Sequence, residues 1–287
     1  MKPPELDYAS PESLEEALAL LGRSEDAKPL AGGQSLIPLL NFRLASPALL
    51  VDLRRVPGLD GVEQANGMIR IGAMVRQRRA EEDAGLNAAV PLLQEALRHV
   101  AHPQIRSRGT IGGSLAHGDP AAELPAVLVA LDGDVTVRSE SGTRRIPARE
   151  LYTGFLTTSL QPHELLTAVE LPRASAGTGA ACVEVTRRPG DYALTGALVQ
   201  VTLGDGRRID DVRIALFGVG TKPHRAESVE ERLRGEVAAP ETFAGAAVHA
   251  AEGLDPPDDL NAGRDYRRHL ARVLVRRGLD LAAERAA

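Results

Sequence analysis

Two short segments carry the residue types best suited to gripping an anion. Pro29-Leu30-Ala31-Gly32-Gly33-Gln34-Ser35-Leu36 and Thr110-Ile111-Gly112-Gly113-Ser114 each join a glycine pair to a hydroxyl and an apolar residue. A glycine pair reaches positive φ freely and has no Cβ to hold a ligand away. Successive backbone N–H groups can then form a concave nest for an oxyanion, and a following helix adds the partial positive charge of its N-terminus. Either turn alone is also an ordinary way to pass from strand to helix. Two of them allow a diphosphate to be approached from opposite sides. Neither fits G-x-G-x-x-G, and no G-x-x-x-x-G-K-[ST] occurs, so a Rossmann or P-loop nucleotide site is unsupported.

Other polar groups cluster nearby in sequence. His117-Gly118-Asp119-Pro120 sets a histidine beside an acid, but no G-x-S-x-G elbow supplies a nucleophile and no H-E-x-x-H supplies metal ligands. Asp119-Pro120 reads either as the N-cap of the apolar helix expected over 121–131 or as a ligand contact. Glu123 falls in the first turn of that helix, where a carboxylate complements the dipole. In "RRPGDYALTG" (187–196), Tyr192 either anchors a loop or meets a planar ring, and Asp191 either caps the turn or makes a polar contact.

Composition narrows the classes. The chain has 287 residues, which suggests about two domains, and 43% hydrophobic with 25% charged residues as in ordinary globular proteins. A net charge of -5 with no unbroken basic run argues against nucleic-acid binding. The single cysteine, Cys182, excludes an internal disulfide, a cysteine-ligated zinc site and an all-cysteine iron–sulfur cluster within this chain. "MKPPELDYASPESLEEAL" lacks the apolar stretch of a signal peptide, and no run approaches membrane-span length, so a cytoplasmic location is expected.

The elements that must position these residues follow from periodicity. A helix capped at Ser10-Pro11 is expected to bury Leu14, Ala17, Leu18 and Leu21 and to end at Gly22. "LLVDL" (49–53), "GMIRIGAMV" (67–75), "DVTVRS" and "ELLTAVELP" read as strands, and 88–100 as one helix. "RASAGTGA" (173–180) marks a boundary between domains. Beyond it, "ACVEVTRR" and "ALVQVTLGDGRRIDDVRIALFGV" suggest an antiparallel meander turning at "GDGR". "SVEERLRG", "ETFAGAAVHAAEGL" and "RDYRRHLARVLVRRGLDLAAERA" read as helices.

Four ordered segments extend the reading: "AGGQSLIPLLNFRL", "IRSRGTIGGSLAHGDPAAELPAVLVAL", "RRPGDYALTGALVQV" and "DYRRHLARVLVRRGL". In order and spacing they resemble the FAD-binding medium subunit of the molybdenum hydroxylases, the group of xanthine dehydrogenase, aerobic carbon monoxide dehydrogenase and nicotine dehydrogenase. The resemblance covers nearly the whole chain. It implies an α+β fold: a two-part FAD-binding domain of the p-cresol methylhydroxylase type (1–175, lobes of about 1–56 and 57–175), then a smaller C-terminal domain of antiparallel sheet and helices (178–287). It assigns Pro29 to Leu36 and Thr110 to Ser114 to the FAD diphosphate, Glu123 to a hydrogen bond with the cofactor, Ala101 and Leu165 to the wall beside the flavin, and Tyr192 to the neighbourhood of the isoalloxazine.

The resemblance further implies electron relay without a catalytic acid or base in this chain. Molybdopterin and [2Fe-2S] clusters would sit in a large and a small partner subunit, the whole forming a dimer of heterotrimers. FAD here would pass electrons to an external acceptor. Nothing matches the motifs of covalent flavin attachment, so dissociable FAD is expected, and the branch that carries a cysteine-rich loop is disfavoured. A self-sufficient flavin oxidase and a flavin-binding scaffold without redox role are the alternatives.

Overall fold

The structure, a computed structural model, describes residues 2–286. It begins with a parallel three-stranded sheet in which Leu49–Asp52 lies between Asp7–Ala9 and Ala27–Leu30. Helix Leu14–Gly22 buries Ala17, Leu18 and Leu21 against this lobe. Its cap is Ser13 rather than Ser10: the Glu16 N–H donates to Ser13 Oγ at 3.1 Å. Ser13-Leu14-Glu15-Glu16 has the spacing of a capping box, with acids in the first turn, and so outcompetes the Ser10-Pro11 start.

The second lobe centres on a five-stranded antiparallel sheet ordered Val62–Ala65, Met68–Gly72, Leu165–Pro172, Asp134–Ser139 and Gly142–Pro147. Between its strands the chain folds into short helices that cover one face. The single helix expected over 88–100 is two, Ala84–Ala89 and Pro91–His99. Pro91 is the reason: the ring forces the preceding Val90 out of helical geometry, to φ -136 and ψ 70.

The C-terminal part holds the meander: Thr178–Val185, Thr195–Leu203, Ile209–Phe217 and the short His224–Arg225, all antiparallel. "GDGR" does turn the chain, with Gly206 and Arg207 both at positive φ. Both faces of this sheet are buried, which is why its strands read as nearly unbroken apolar runs. Ala180, Cys182, Leu198, Ala215 and Phe217 point into the same core as Leu92, Leu97 and Val127 of the second-lobe helices. Their neighbours Ala181, Val199, Ile214 and Leu216 face the long helix Arg264–Arg285 through Leu274, Val275 and Leu279. Close approach on that side needs glycine: a Cβ on Gly278 would lie 2.6 Å from Val199 Cγ2. "ETFAGAAVHAAEGL" is helical only over Pro240–Ala247, then tightens to a 3-10 turn over Val248–Ala251.

Candidate functional site

The first glycine segment leaves the strand Ala27–Leu30, turns at Gly33 with φ +73, and enters the helix Leu36–Asn41. Positive φ suits glycine because it has no Cβ to clash. The backbone N–H groups of Gly32, Gly33, Gln34, Ser35 and Leu36 find no acceptor among the described residues. Ser35 sits at the N-cap position, yet its hydroxyl makes no cap bond. The Gln34 amide is turned inward, donating to the Gly32 carbonyl at 3.0 Å. These donors fit the nest expected from sequence.

The second segment is built differently. Thr110 is the N-cap, and Gly112 and Gly113 lie within the first turn of helix Ile111–His117, not in a loop before it. Every N–H of that turn is used: Ile111 donates to Val75 O, Gly112 to Ala73 O, Gly113 to Thr110 Oγ1 and Ser114 to Thr110 O. A second nest of free donors is therefore absent here. The glycines serve approach instead. A Cβ on Gly112 would lie 2.7 Å from Ala73 Cα, and one on Gly113 would lie 2.7 Å from Thr110 Oγ1 and 3.5 Å from Ala31 Cβ.

The two segments meet. A Cβ on Gly32 would stand 2.8 Å from Gly109 Cα and nearer still to the Arg108 carbonyl oxygen. Together they wall a cavity of about 790 Å³. Pro29, Ala31, Gly32, Gly33, Gln34, Ser35 and Leu36 line it, as do Ala101, Thr110, Gly112, Gly113, Ser114, Glu123, Leu165 and Tyr192. Leu30 and Ile111 do not: Leu30 packs beside Gly33, and Ile111 is 2% exposed in the core.

Ala101 occupies the wall through a strained turn, with φ +40. Buried Arg106 fixes it by donating to the carbonyls of Val100 and Ala101 at 2.7 and 3.3 Å, while Glu81 accepts two further bonds from the same guanidinium. Tyr192 closes the cavity from the C-terminal part. The residue as a whole is 57% exposed, but its hydroxyl neighbours Ser35 and Asp119, and desolvation at that end, reinforced by the Asp119 and Glu123 carboxyls, raises it to about 12. Asp119 does not cap the following helix. That helix starts at Glu123 with Ala122 as its N-cap, and Asp119 Oδ1 accepts from the Ala121 N–H at 2.9 Å, ordering the turn ahead of it. Glu123 is 5% exposed, and desolvation is the main cause that holds its carboxyl up at about 8. Burial also lowers His117.

Several wall residues were not singled out from sequence. Gly109 belongs to the "RSRGTIGG" run as a third glycine, a signal that was visible there. A Cβ on it would meet Gln77 Cδ at 2.9 Å, and the buried Gln77 Oε1 has no hydrogen-bond partner. His102 lies beneath Gly190, and Leu160 and Gln161 come from the loop before Leu165. Those three carry no local motif.

Residues 4–174 match the family model described as the FAD binding domain in molybdopterin dehydrogenase, and residues 180–282 the CO dehydrogenase flavoprotein C-terminal domain. The chain is 45% identical to the 6-hydroxypseudooxynicotine dehydrogenase complex subunit alpha of Paenarthrobacter nicotinovorans, covering 100% of this chain and 97% of that one. It is 36% identical to the carbon monoxide dehydrogenase medium chain of Hydrogenophaga pseudoflava, with 100% of both covered. Among solved structures, quinoline 2-oxidoreductase from Pseudomonas putida 86 superposes with a TM-score of 0.95 at 40% identity over 100% of this chain and 99% of that chain. The chain belongs to the family of FAD-binding medium subunits of molybdenum-containing dehydrogenases, with the FAD-binding domain followed by the CO dehydrogenase-type flavoprotein C-terminal domain.

Proposed function

We propose that the cavity holds FAD without a covalent link, and that the chain relays electrons between an iron–sulfur partner subunit and an external acceptor. The convergence of the two glycine segments at Gly32 and Gly109 on one cavity carries this reading. The residues present fit the cofactor. The unpaired donors of Gly32 to Leu36 suit its diphosphate, while the packed turn at Gly112-Gly113 keeps side chains out of its path. Ser35 and Ser114 offer hydroxyls, Ala101 and Leu165 an apolar wall, and Tyr192 a phenol. FAD supplies the redox chemistry, and the chain supplies binding, orientation and exclusion of water.

Relatives are named as the alpha subunit of a complex, a medium subunit and a medium chain, which supports a large molybdopterin subunit and a small [2Fe-2S] subunit as partners here. A dimer of heterotrimers, the division into 1–175 and 178–287 and a cytoplasmic location belong to the same reading. Among the described residues no helix is long and apolar enough to cross a membrane.

Purification of the chain alone and together with candidate partners tests the proposal. The expected result is a yellow chain that releases FAD on acid denaturation, and whose flavin is reduced by substrate only when both partners are present. Reduction of the isolated chain by an organic substrate would replace the relay with a self-sufficient oxidase. A colourless chain that binds no added FAD would overturn the reading altogether.

A further inference from the structure

Tyr192 stands in a short partition with a cavity on each side. Gly190, Asp191 and Tyr192 line the flavin cavity and also a second cavity of about 730 Å³, whose wall continues through Leu194, Gly218 and Arg267. A segment with space on both faces has few partner atoms to pack against, and residues 190–194 belong to no strand or helix. Its position is therefore set at its two ends. At the first, Gly190 rests on the His102 imidazole.

At the second end the hold is a buried guanidinium. Arg267 lies in the first turn of helix Arg264–Arg285, within "DYRRHLARVLVRRGL", and its side chain is only 5% exposed. Its Nη1 donates to the carbonyl of Leu194, two residues past Tyr192, and to that of Gly218 at 3.2 Å. Its Nη2 donates to Asp259 Oδ2 at 2.9 Å. Gly218 backs the same spot: at φ +70, a Cβ on it would lie 2.7 Å from the Leu194 oxygen and 3.0 Å from that of Ala193. The sheet reaches Leu194 only through its N–H, which donates to the Val185 carbonyl at 2.8 Å. The Thr195 hydroxyl also donates to the Leu194 oxygen, at 2.8 Å, but as a chain neighbour it fastens the segment to nothing outside itself.

We propose that Arg267 is the positioning residue of Tyr192: by fixing the Leu194 carbonyl against the Gly218 turn, it sets where the phenol stands in the flavin cavity. The inference rests on the flavin reading above. It gives helix Arg264–Arg285 a task in the cofactor site although no residue of that helix lines the flavin cavity. A charged donor makes strong, directed bonds to carbonyls, and buried carbonyls that lose it are left unpaired. The same junction reaches the other side of the phenol. The Gly218 N–H donates to the Pro120 carbonyl at 2.8 Å, and the preceding Asp119 neighbours the Tyr192 hydroxyl.

FAD release from the loaded full chain, followed together with the fluorescence and absorption of the bound flavin, tests the proposal in a double-mutant cycle with Tyr192→Ala. Arg267→Met loses the fork and should speed release about tenfold while altering the flavin bands. Arg267→Lys can pair with Asp259 but cannot span two carbonyls; it should change both in the same direction by less, and it carries the test if the Met variant does not fold. In the Tyr192→Ala background neither substitution should change release or spectrum further. An arginine that only held its domain together would loosen FAD equally in both backgrounds. That result, or wild-type release and spectrum in the Arg267 variants, overturns the proposal. If the wild-type chain binds no FAD, the flavin reading itself fails, and hydrogen exchange on the flavin-free chain decides what Arg267 holds. Faster exchange confined to 188–194 in the Arg267 variants supports the assignment. An unchanged rate there, or one raised throughout strand Ile209–Phe217 as well, overturns it.

Discussion

Gly32 and Gly109 stand backbone to backbone, so close that a Cβ on Gly32 would lie 2.8 Å from Gly109 Cα. The contact joins the parallel lobe to the five-stranded lobe at the point where both glycine segments face one cavity. The obstacle is backbone on both sides, so Gly32→Ala cannot be relieved by a side-chain rotation. The two segments must separate, at a cost of about 1–3 kcal/mol, the usual range for overpacking. The variant should lose most of its FAD and melt at a lower temperature. Flavin content per chain and a thermal melt check both, and full flavin retention would show that the contact does not shape the site.

The Ala101 turn depends on a buried ion pair. Arg106 spends its guanidinium on Glu81 and on the carbonyls of Val100 and Ala101, and thereby holds a non-glycine residue at φ +40. Arg106→Met would leave Glu81 with Arg78 alone and the two carbonyls unpaired. Removing one partner of a buried pair costs about 3–5 kcal/mol. Denaturant unfolding should show a loss of that order, and weaker FAD binding should accompany it because the cavity wall relaxes.

Acid should find a different weak point in the first lobe. Asp52 is fully buried; burial alone would raise its pKa, but hydrogen bonds from Arg54 and Tyr8 more than offset that and lower it. The Tyr8 hydroxyl donates to Asp52 Oδ2 at 2.5 Å, and Arg54 Nε donates at 2.8 Å. A folded pKa below the unfolded one means that the stabilisation is complete above the ordinary carboxylate range. It is lost as pH falls below about 4 toward the depressed folded value. Asp52→Asn should reduce stability at pH 7 by about 1–3 kcal/mol and make the first lobe less sensitive to acid below about pH 4. Parallel acid unfolding curves for the two proteins would contradict this.

Strand and helix positions were largely legible because burial follows simple periods here. Ala17, Leu18 and Leu21 mark a helical stripe, and Val199, Val201, Ile214 and Leu216 lie on strands buried on both faces. The glycine segments were legible as anion-friendly turns, but their difference was not. Whether an N–H is free depends on what lies opposite. Val75 and Ala73, distant in sequence from Gly112, consume the donors that local reasoning had left for a ligand. The boundary errors were local competitions: Ser13 against Ser10 for a cap, and Pro91 against helical continuity. Glu123 was legible only as a first-turn acid, since its burial in the cavity wall comes from elements that fold onto it.

The loop that carries Tyr192 rests on His102 at Gly190. Gly190 has φ +86 and lies over the His102 imidazole; a Cβ there would come within 2.8 Å of Nδ1. Gly190→Ala meets two penalties, about 1–2 kcal/mol for a left-handed residue with a side chain and a clash with the ring beneath. The loop bears no regular structure and can swing outward, so global stability should change little while Tyr192 leaves its place near Ser35. FAD should then dissociate faster and its fluorescence should change, both measurable by stopped flow. His102→Ala removes the clash but not the φ penalty, so the double variant should recover much of the lost retention. A positive coupling in that cycle assigns the effect to the Gly190–His102 contact. Additive losses would mean that the two residues act on the cofactor separately.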